Sequence, residues 1–161
     1  MNRPEILLHG MCVMFCVVLG ATASAEPITY NIDSAHTFPS IAADHASGFS
    51  IWRGKINETS GVIVLDTEAE SGTVEVLMQM ASIDFGYEPF NDHAKNEDFF
   101  HVDRYPTATY TGALVEFEDG APTAVEGELA MVGITLPLNL EIVSLVCIDA
   151  HRATNRPACG A

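Results

Sequence analysis

The sequence predicts an all-β domain, a barrel or sandwich of antiparallel strands. Apolar residues recur at every second position in several runs, which places them on one face of an extended strand. The clearest run is 73–84, where Val74, Val76, Met78 and Met80 share a face. Gly, Ser, Asn and Asp separate the runs at roughly regular spacing, which is typical of small barrels and sandwiches.

We predict strands where β-prone residues are bounded by turn residues. In chain order these are residues 28–33, 36–44, 49–57, 60–66, 73–84, 107–118, 124–131 and 135–148. In the last run, Leu136, Leu138, Leu140 and Ile142 fall on one face.

One segment, residues 88–101, interrupts the strand pattern. It contains Pro89 and four acidic residues and ends in Phe99 and Phe100 before His101. We interpret it as a short helix or ordered loop that crosses one end of the barrel.

Residues 1–25 have the parts of a secretory signal peptide. Arg3 supplies the positive charge, residues 6–19 are mostly apolar, and Ala23-Ser24-Ala25 is a small-residue cleavage site. The alternative is an uncleaved anchor, for which the apolar run is short. We therefore expect cleavage near Ala25, a periplasmic or secreted location, and one mature domain over 26–161.

The net charge of the chain restricts the classes of partner that it can bind. The formal net charge is −15, and the predicted signal peptide holds one arginine and one glutamate, so its removal leaves this charge unchanged. Such an acidic surface lacks the basic footprint that binds nucleic acid. It is also repelled by anionic lipid head groups, so we expect no stable membrane insertion. A lipid would have to be enclosed.

Two cysteines, Cys147 and Cys159, follow the predicted cleavage site. In an oxidising compartment, two cysteines this close predict a disulfide, worth about 2–3 kcal/mol in the chain-entropy description. Two unpaired thiols are the alternative. The spacing is not Cys-x-x-Cys, which argues against a redox-active pair.

No pattern in the sequence predicts a catalytic or metal site. There is no Gly-x-Ser-x-Gly, no His-x-His and no His-Glu-x-x-His. The spacings of His36 from His45 and of His93 from His101 do not put two rings together on one strand face. An enzyme or metal protein that uses His36, His45 or His93 with nearby acids remains an alternative.

The methionines of the strands are candidates for the interior. Met78, Met80 and Met131 are flexible and polarisable, so they adapt to irregular apolar shapes. This composition suits a tunnel for a floppy hydrocarbon and equally suits a dry, irregular core.

Several short elements, taken in order over about residues 28–143, resemble the YceI-like family of periplasmic isoprenoid-binding proteins. They are Tyr30-Asn-Ile-Asp33, His36-Thr-Phe38, His45 with Gly48, Trp52-Arg-Gly54, Ser82-Ile-Asp84, His93 with Asp98-Phe-Phe100, Tyr105-Pro106, Gly127-x-Leu129 and Gly133-x-Thr135-x-Pro137. No single element is specific, but the ordered set is.

The resemblance implies an extended lipocalin-like antiparallel barrel whose cavity binds a long isoprenoid chain, such as a polyprenyl or quinone tail, with no other cofactor. The predicted lining residues are Val76, Met78, Met80, Phe99, Phe100, Tyr110, Leu129, Met131, Leu138 and Leu140. Phe99 and Phe100 are expected to gate one end. On this hypothesis Met78→Glu abolishes lipid uptake and leaves secretion intact. The alternative is a structural or stress-response module with a filled barrel and no ligand.

Two departures from the family pattern bear on these expectations. Phe85 stands where the family usually has threonine after Ser-x-Asp. The Arg-x-Asp-Phe-Gly-like end of the family's last strand has no match, and the chain ends at Cys159-Gly-Ala161. We therefore expect the closing strand to be absent and the domain to be C-terminally incomplete.

Overall fold

The computed structural model describes residues 26–45 and 47–161; the predicted signal peptide lies outside these ranges. Within them the chain is mostly β-strand. The strands are β1 (Ile28–Asn31), β2 (Ser40–His45), β3 (Ser50–Ile56), β4 (Thr59–Asp66), β5 (Ser71–Gln79), β6 (Ile83–Asp84), β7 (Thr107–Glu118), β8 (Ala121–Met131), β9 (Ile134–Pro137), β10 (Leu140–Glu141), β11 (Val146–Ile148) and β12 (Ala158–Gly160), and the helix is α1 (Glu88–Lys95). No helix in the described ranges is long and apolar enough to cross a bilayer.

The strands form three antiparallel sheets. The main sheet is seven-stranded, in the order β1-β4-β5-β7-β8-β10, with β9 also paired to β8. A three-stranded sheet has the order β2-β3-β6, and β11 pairs with β12 alone. In the described residues these sheets are not joined into one closed ring. The all-β prediction is confirmed, and the closed barrel is not.

The strand register assigns the side chains of the main sheet to two faces. Paired residues point to the same side, so the pairs Met78 with Ala108 and Tyr110 with Leu129 continue one face across the sheet. The buried residues of this face, which we call the inner face, are Thr59, Leu65, Val74, Met78, Ala108, Tyr110, Leu114 and Val125. The alternation seen in the sequence therefore identifies a real face.

One buried cluster joins the main sheet to the rest of the domain. Ile56 and Ile83 come from the three-stranded sheet, and Ala94 and Phe100 come from α1 and the turn after it. They pack with the inner face around Met80, which is almost fully buried. The predicted crossing segment is thus a helix followed by turns, and it closes one side of the core.

The predicted strand 73–84 ends early, at Gln79. Met80–Ser82 form a turn of 3₁₀ helix, in which Met80 N–H donates to the Pro106 carbonyl at 2.9 Å. Ile83 then pairs with Ile56 in the other sheet. A strand that changes sheet this way looks continuous in the sequence because both halves bury apolar residues.

Two other predicted strands are shorter than expected. Residues 36–39 precede β2 and lie outside it, and His36 N–H closes a turn onto the Asp33 carbonyl at 3.1 Å. The predicted strand 135–148 follows β8 as far as Ile142, whose N–H bonds the Thr123 carbonyl at 2.8 Å. Beyond that point only β11 is a strand, and it pairs with β12.

The predicted disulfide is present between Cys147 and Cys159, which face each other in the β11–β12 ribbon. The ribbon contributes no residue to the buried cluster. An isolated two-stranded ribbon is marginal in water, so the disulfide is what holds it.

We predict that the double variant Cys147→Ser, Cys159→Ser loses the ribbon and keeps the core. The closed loop is worth about 3 kcal/mol at most, and that energy stabilises a unit outside the core. Amide exchange over 146–160 should become fast, while the thermal midpoint moves by less than about 3 °C. A fall of the midpoint by more than about 8 °C would show instead that the ribbon supports the core.

Candidate functional site

The structure brings the predicted strand residues of the lining together on the inner face. Register places Val76 and Met78 beside Tyr110 and Ala108, with Leu129 and Met131 on the next strand. Leu138 and Leu140 continue the same face, opposite Gly127 and Val125. Met80 lies just beyond β5 in the core, Phe100 is buried, and Phe99 is 42% exposed.

Burial along this face falls from its centre toward one edge. Met78 and Tyr110 are buried, whereas Val76, Leu129 and Met131 are only half-buried. From β9 to β10 the inner-face leucines are open: Leu136 is 62% exposed, and Leu138, between the two strands, and Leu140 are each 40% exposed. The face is therefore a sealed core at β5 and β7 and an uncovered apolar surface at β9 and β10.

Tyr110 connects the sealed centre to the open edge. Its hydroxyl donates to the Leu138 carbonyl at 2.9 Å and crosses β8 at Gly127. A Cβ at Gly127 would lie 2.6 Å from that hydroxyl, so only glycine leaves room for the crossing. Burial raises the pKa of the Tyr110 phenol, which keeps it a neutral donor.

Thr59 places a hydroxyl in the same apolar face. It pairs with Met78 and is buried, and its Oγ1 has no hydrogen-bonding partner among the described residues. An unmatched buried hydroxyl costs about 1–3 kcal/mol, so Thr59 lowers the stability of this part of the core.

Three aromatic rings lie together where α1 meets β3, and we call them the aromatic stack: Trp52, Tyr87 and Phe90. The Trp52 ring is 4.7 Å from Phe90 and 6.2 Å from Tyr87 between centroids, and its plane makes angles of 31° and 29° with theirs. Phe85 meets Phe90 edge-on at 4.6 Å. Sequence reasoning noted Trp52 as part of the family pattern and Phe85 as a departure from it, and did not identify this stack. The clustering of aromatics around 85–90 was the available signal.

Two contacts fix the stack in place. Phe85 lies over Gly54, where a Cβ would come within 2.7 Å of the ring. The buried side chain of Asn91 accepts from Phe85 N–H at 2.7 Å and donates to Asp84 Oδ1 at 2.9 Å. The Gly86 N–H and the Asn91 amide hold the pKa of the Asp84 carboxyl below its usual value. The start of α1 is thereby tied to β6.

The histidines considered as alternatives for chemistry do not converge. His36 pairs with Asp33 at 2.8 Å, and this bond lowers the pKa of the Asp33 carboxyl. His45 bonds the Ser50 hydroxyl at 2.9 Å, and His93 lies 3.3 Å from the Asn96 amide. Over 26–45 and 47–161, no three His, Cys, Asp or Glu side chains are placed to hold one metal ion.

Two open clefts lie apart from the centre of the inner face. One, of about 410 Å³, lies between Tyr105 and the β8–β9 turn, and the other, of about 560 Å³, borders Arg53, Lys55 and Asp84. Of the predicted lining residues, Met131 alone borders either cleft.

Comparison with known proteins finds a consistent set of relatives. The family described as YceI-like domain matches residues 30–156. Protein YceI of Shigella flexneri is 28% identical over 130 residues, which cover 79% of this chain and 67% of that protein.

Solved structures show the same fold. The YceI protein of Campylobacter jejuni is 26% identical and superposes with a TM-score of 0.53, covering 73% of this chain and 70% of that one. A polyisoprenoid-binding domain from Saccharophagus degradans, implicated in plant cell wall breakdown, is 14% identical with a TM-score of 0.51. The superposition covers 78% of this chain and 79% of that domain.

Proposed function

The chain belongs to the YceI-like family, and we propose that it is a carrier that holds a long isoprenoid or similar apolar lipid tail against the inner face. The observation that carries the proposal is the open part of that face, where Leu136, Leu138 and Leu140 share one side of the sheet and are 40% exposed or more. Large exposed apolar patches on proteins mark interaction sites or ligand-binding grooves. The polyisoprenoid-binding domain of Saccharophagus degradans, which has the same fold, adds support.

The energetics fit a lipid tail. Each methylene removed from water is worth about 0.8 kcal/mol, so a chain of several isoprene units gains more from this face than any single polar contact supplies. The half-buried Val76, Leu129 and Met131 lie between the open edge and the sealed centre. A tail could extend along them, with the flexible Met131 adapting to its branches. Phe99, partly exposed beyond α1, is proposed to gate one end with Phe100.

The proposed location is the periplasm or the cell exterior. The Cys147–Cys159 disulfide supports an oxidising compartment, because cytosolic thiols are kept reduced. Binding in this proposal needs no catalysis and no metal.

A charge on the open part of the inner face should abolish uptake without unfolding the protein. In Leu138→Glu the new carboxylate can stay hydrated in the free protein, since Leu138 is 40% exposed, but an occupying tail would desolvate it. We expect at least a tenfold loss of affinity for geranylgeraniol, read by native mass spectrometry and organic extraction, because about 1.4 kcal/mol is tenfold.

The matched control is Thr135→Glu, which adds the same charge three residues earlier, on the opposite, exposed face of β9. It should bind like the parent protein. Equal losses in both variants would show that the effect of the added charge does not depend on the inner face. An unchanged Leu138→Glu would remove this face from the site and leave the filled, ligand-free module as the better description.

A further inference from the structure

We propose that the tip of the β2–β3 hairpin docks the protein reversibly on the surface of a phospholipid bilayer. The contact is made by what we call the docking face: Phe49 in the turn, with Ile51, Arg53 and Lys55 on β3. The inference goes beyond the proposed function, because it concerns a different face of the molecule and does not require a lipid on the inner face.

Two large apolar side chains project from this hairpin into solvent. Phe49 is 86% exposed and Ile51 is 62% exposed. In the described part of the chain, neither belongs to the buried cluster or packs against it, so the fold gains little from either. Exposed apolar side chains that lie together at one place on a protein are typical of interaction sites.

The two sides of β3 differ in burial and in chemistry. Gly54 and Ile56 are buried, whereas Ile51, Arg53 and Lys55 are exposed, since alternate residues of a strand point to opposite sides. The buried side packs toward the core. The exposed side therefore presents an apolar residue nearest the tip and two cations behind it.

The two cations of the docking face are free to bind an external anion. Arg53 and Lys55 are two of the seven lysines and arginines of the chain, and they stand two residues apart on one strand. Neither forms an ion pair with another residue that the structure describes. Lys55 instead lies 4.7 Å from the ring centroid of Phe38, which supports its side chain without neutralising its charge.

The docking face is neutral in a strongly acidic chain. Asp44 pairs with Ile51 and Asp84 with Lys55 in the sheet, so two acids balance the two cations. Both carboxylates already accept backbone N–H groups, at 2.6 Å and 2.7 Å. The whole chain has a net charge of −15. A bilayer with anionic lipids therefore repels the rest of the surface and attracts this face, which orients the protein and keeps docking reversible.

The spacing along β3 matches the layers of a bilayer surface. A strand rises about 3.3 Å per residue, so Arg53 lies about 7 Å from Ile51 along the strand. Interfacial elements bury their apolar side chains about 5–10 Å into the boundary between head groups and acyl chains. When Phe49 and Ile51 reach that boundary, Arg53 and Lys55 are level with the lipid phosphates. This order of apolar tip and cationic base favours a bilayer over a protein partner.

The first test is co-sedimentation of the protein with vesicles of phosphatidylcholine that contain a minor share of phosphatidylglycerol. The double variant Phe49→Ser, Ile51→Ser should bind at least about tenfold more weakly, because two apolar side chains no longer leave water. Both residues are exposed, so its circular dichroism and thermal midpoint should match those of the parent protein. The affinity for geranylgeraniol in solution should also be unchanged.

The matched control is the double variant Val143→Ser, Val146→Ser. These valines are 89% and 66% exposed, so the change removes apolar side chains of similar exposure from another part of the surface. Its vesicle binding should equal that of the parent protein.

The double variant Arg53→Gln, Lys55→Gln tests the cations separately. Vesicle binding should weaken about tenfold, and its dependence on salt should become flatter, because the attraction to lipid phosphates is lost. The variant that lacks Phe49 and Ile51 should keep the salt dependence of the parent protein. An unchanged salt dependence in the glutamine variant would overturn the assignment of the two cations to the bilayer.

The remaining outcomes separate this inference from the carrier function. Equal vesicle binding by Phe49→Ser, Ile51→Ser and the parent protein, or an equal loss in the valine control, would overturn docking through the hairpin. A parent dimer that dissociates in the same variant, seen by sedimentation velocity, would assign the hairpin to a second copy of the chain instead. A parent protein that binds geranylgeraniol but no vesicles would overturn docking alone, and the reverse result would overturn the carrier function alone.

Discussion

Met78→Glu should lose at least about 3 kcal/mol of folding stability, enough to unfold a marginal domain. Met78 is 6% exposed and lies between the buried Thr59 on β4 and the buried Ala108 on β7. The buried cluster around Met78 contains no lysine or arginine among the described residues, so a carboxylate placed there must either ionise in an apolar site or take up a proton. Urea denaturation followed by circular dichroism measures the loss.

This prediction differs from the expectation from sequence, in which the same change abolishes lipid uptake and leaves secretion largely intact, because the structure buries Met78. That expectation treated Met78 as the wall of an open cavity. Met78→Leu is the control, since it preserves volume and should cost less than about 1.5 kcal/mol. If Met78→Glu were as stable as the parent, the centre of the inner face would have to be hydrated, and the sealed core described above would be wrong.

Among glycine-to-alanine changes in the described residues, Gly61→Ala should be the most damaging. It should lower the free energy of unfolding by about 3 kcal/mol or more. Gly61 has a φ of +152°, and a Cβ there would be 2.0 Å from the Glu75 carbonyl oxygen on β5. The neighbour is backbone of a paired strand, so the sheet must distort to relieve the contact. The distortion also reaches the Gly61 carbonyl, which accepts from Ile32 N–H at 3.0 Å.

Gly86→Ala separates the two causes of this loss. Gly86 has a φ of +77°, and a Cβ there meets nothing within 4 Å, so this variant carries the conformational cost alone. We expect about 1 kcal/mol for it. Thermal unfolding of the two variants beside the parent gives the comparison. Similar losses in both would mean that the β4–β5 pair yields easily at Gly61.

The period-two pattern was enough to predict the faces of the strands. Val76 and Met78, and likewise Leu138 and Leu140, share a side because side chains alternate in any extended strand. The pattern could not say where a strand leaves its sheet. Residues 73–84 read as one strand, yet the chain turns at Met80 because its N–H bonds the distant Pro106 carbonyl.

The roles of the glycines likewise follow partly from the sequence and partly from the tertiary structure. Gly133, with a φ of +74°, serves the turn that the sequence predicts. Gly54 and Gly127 appear in the sequence only as members of the family elements, and the structure places each within a strand beneath an aromatic ring, Phe85 or Tyr110. Which ring crosses which glycine depends on register between strands, which local sequence does not encode.

The sequence by itself determined the all-β class, the position of the crossing segment, the disulfide partners and the family, because these follow from local periodicity, residue chemistry and ordered short elements. Tertiary structure alone decided which face of the sheet is inner, where that face is sealed and where it is open, and that Trp52, Tyr87 and Phe90 stack together. Burial and ring contacts arise from segments far apart in the chain, and the free energy of those contacts exists only once the sheets have packed.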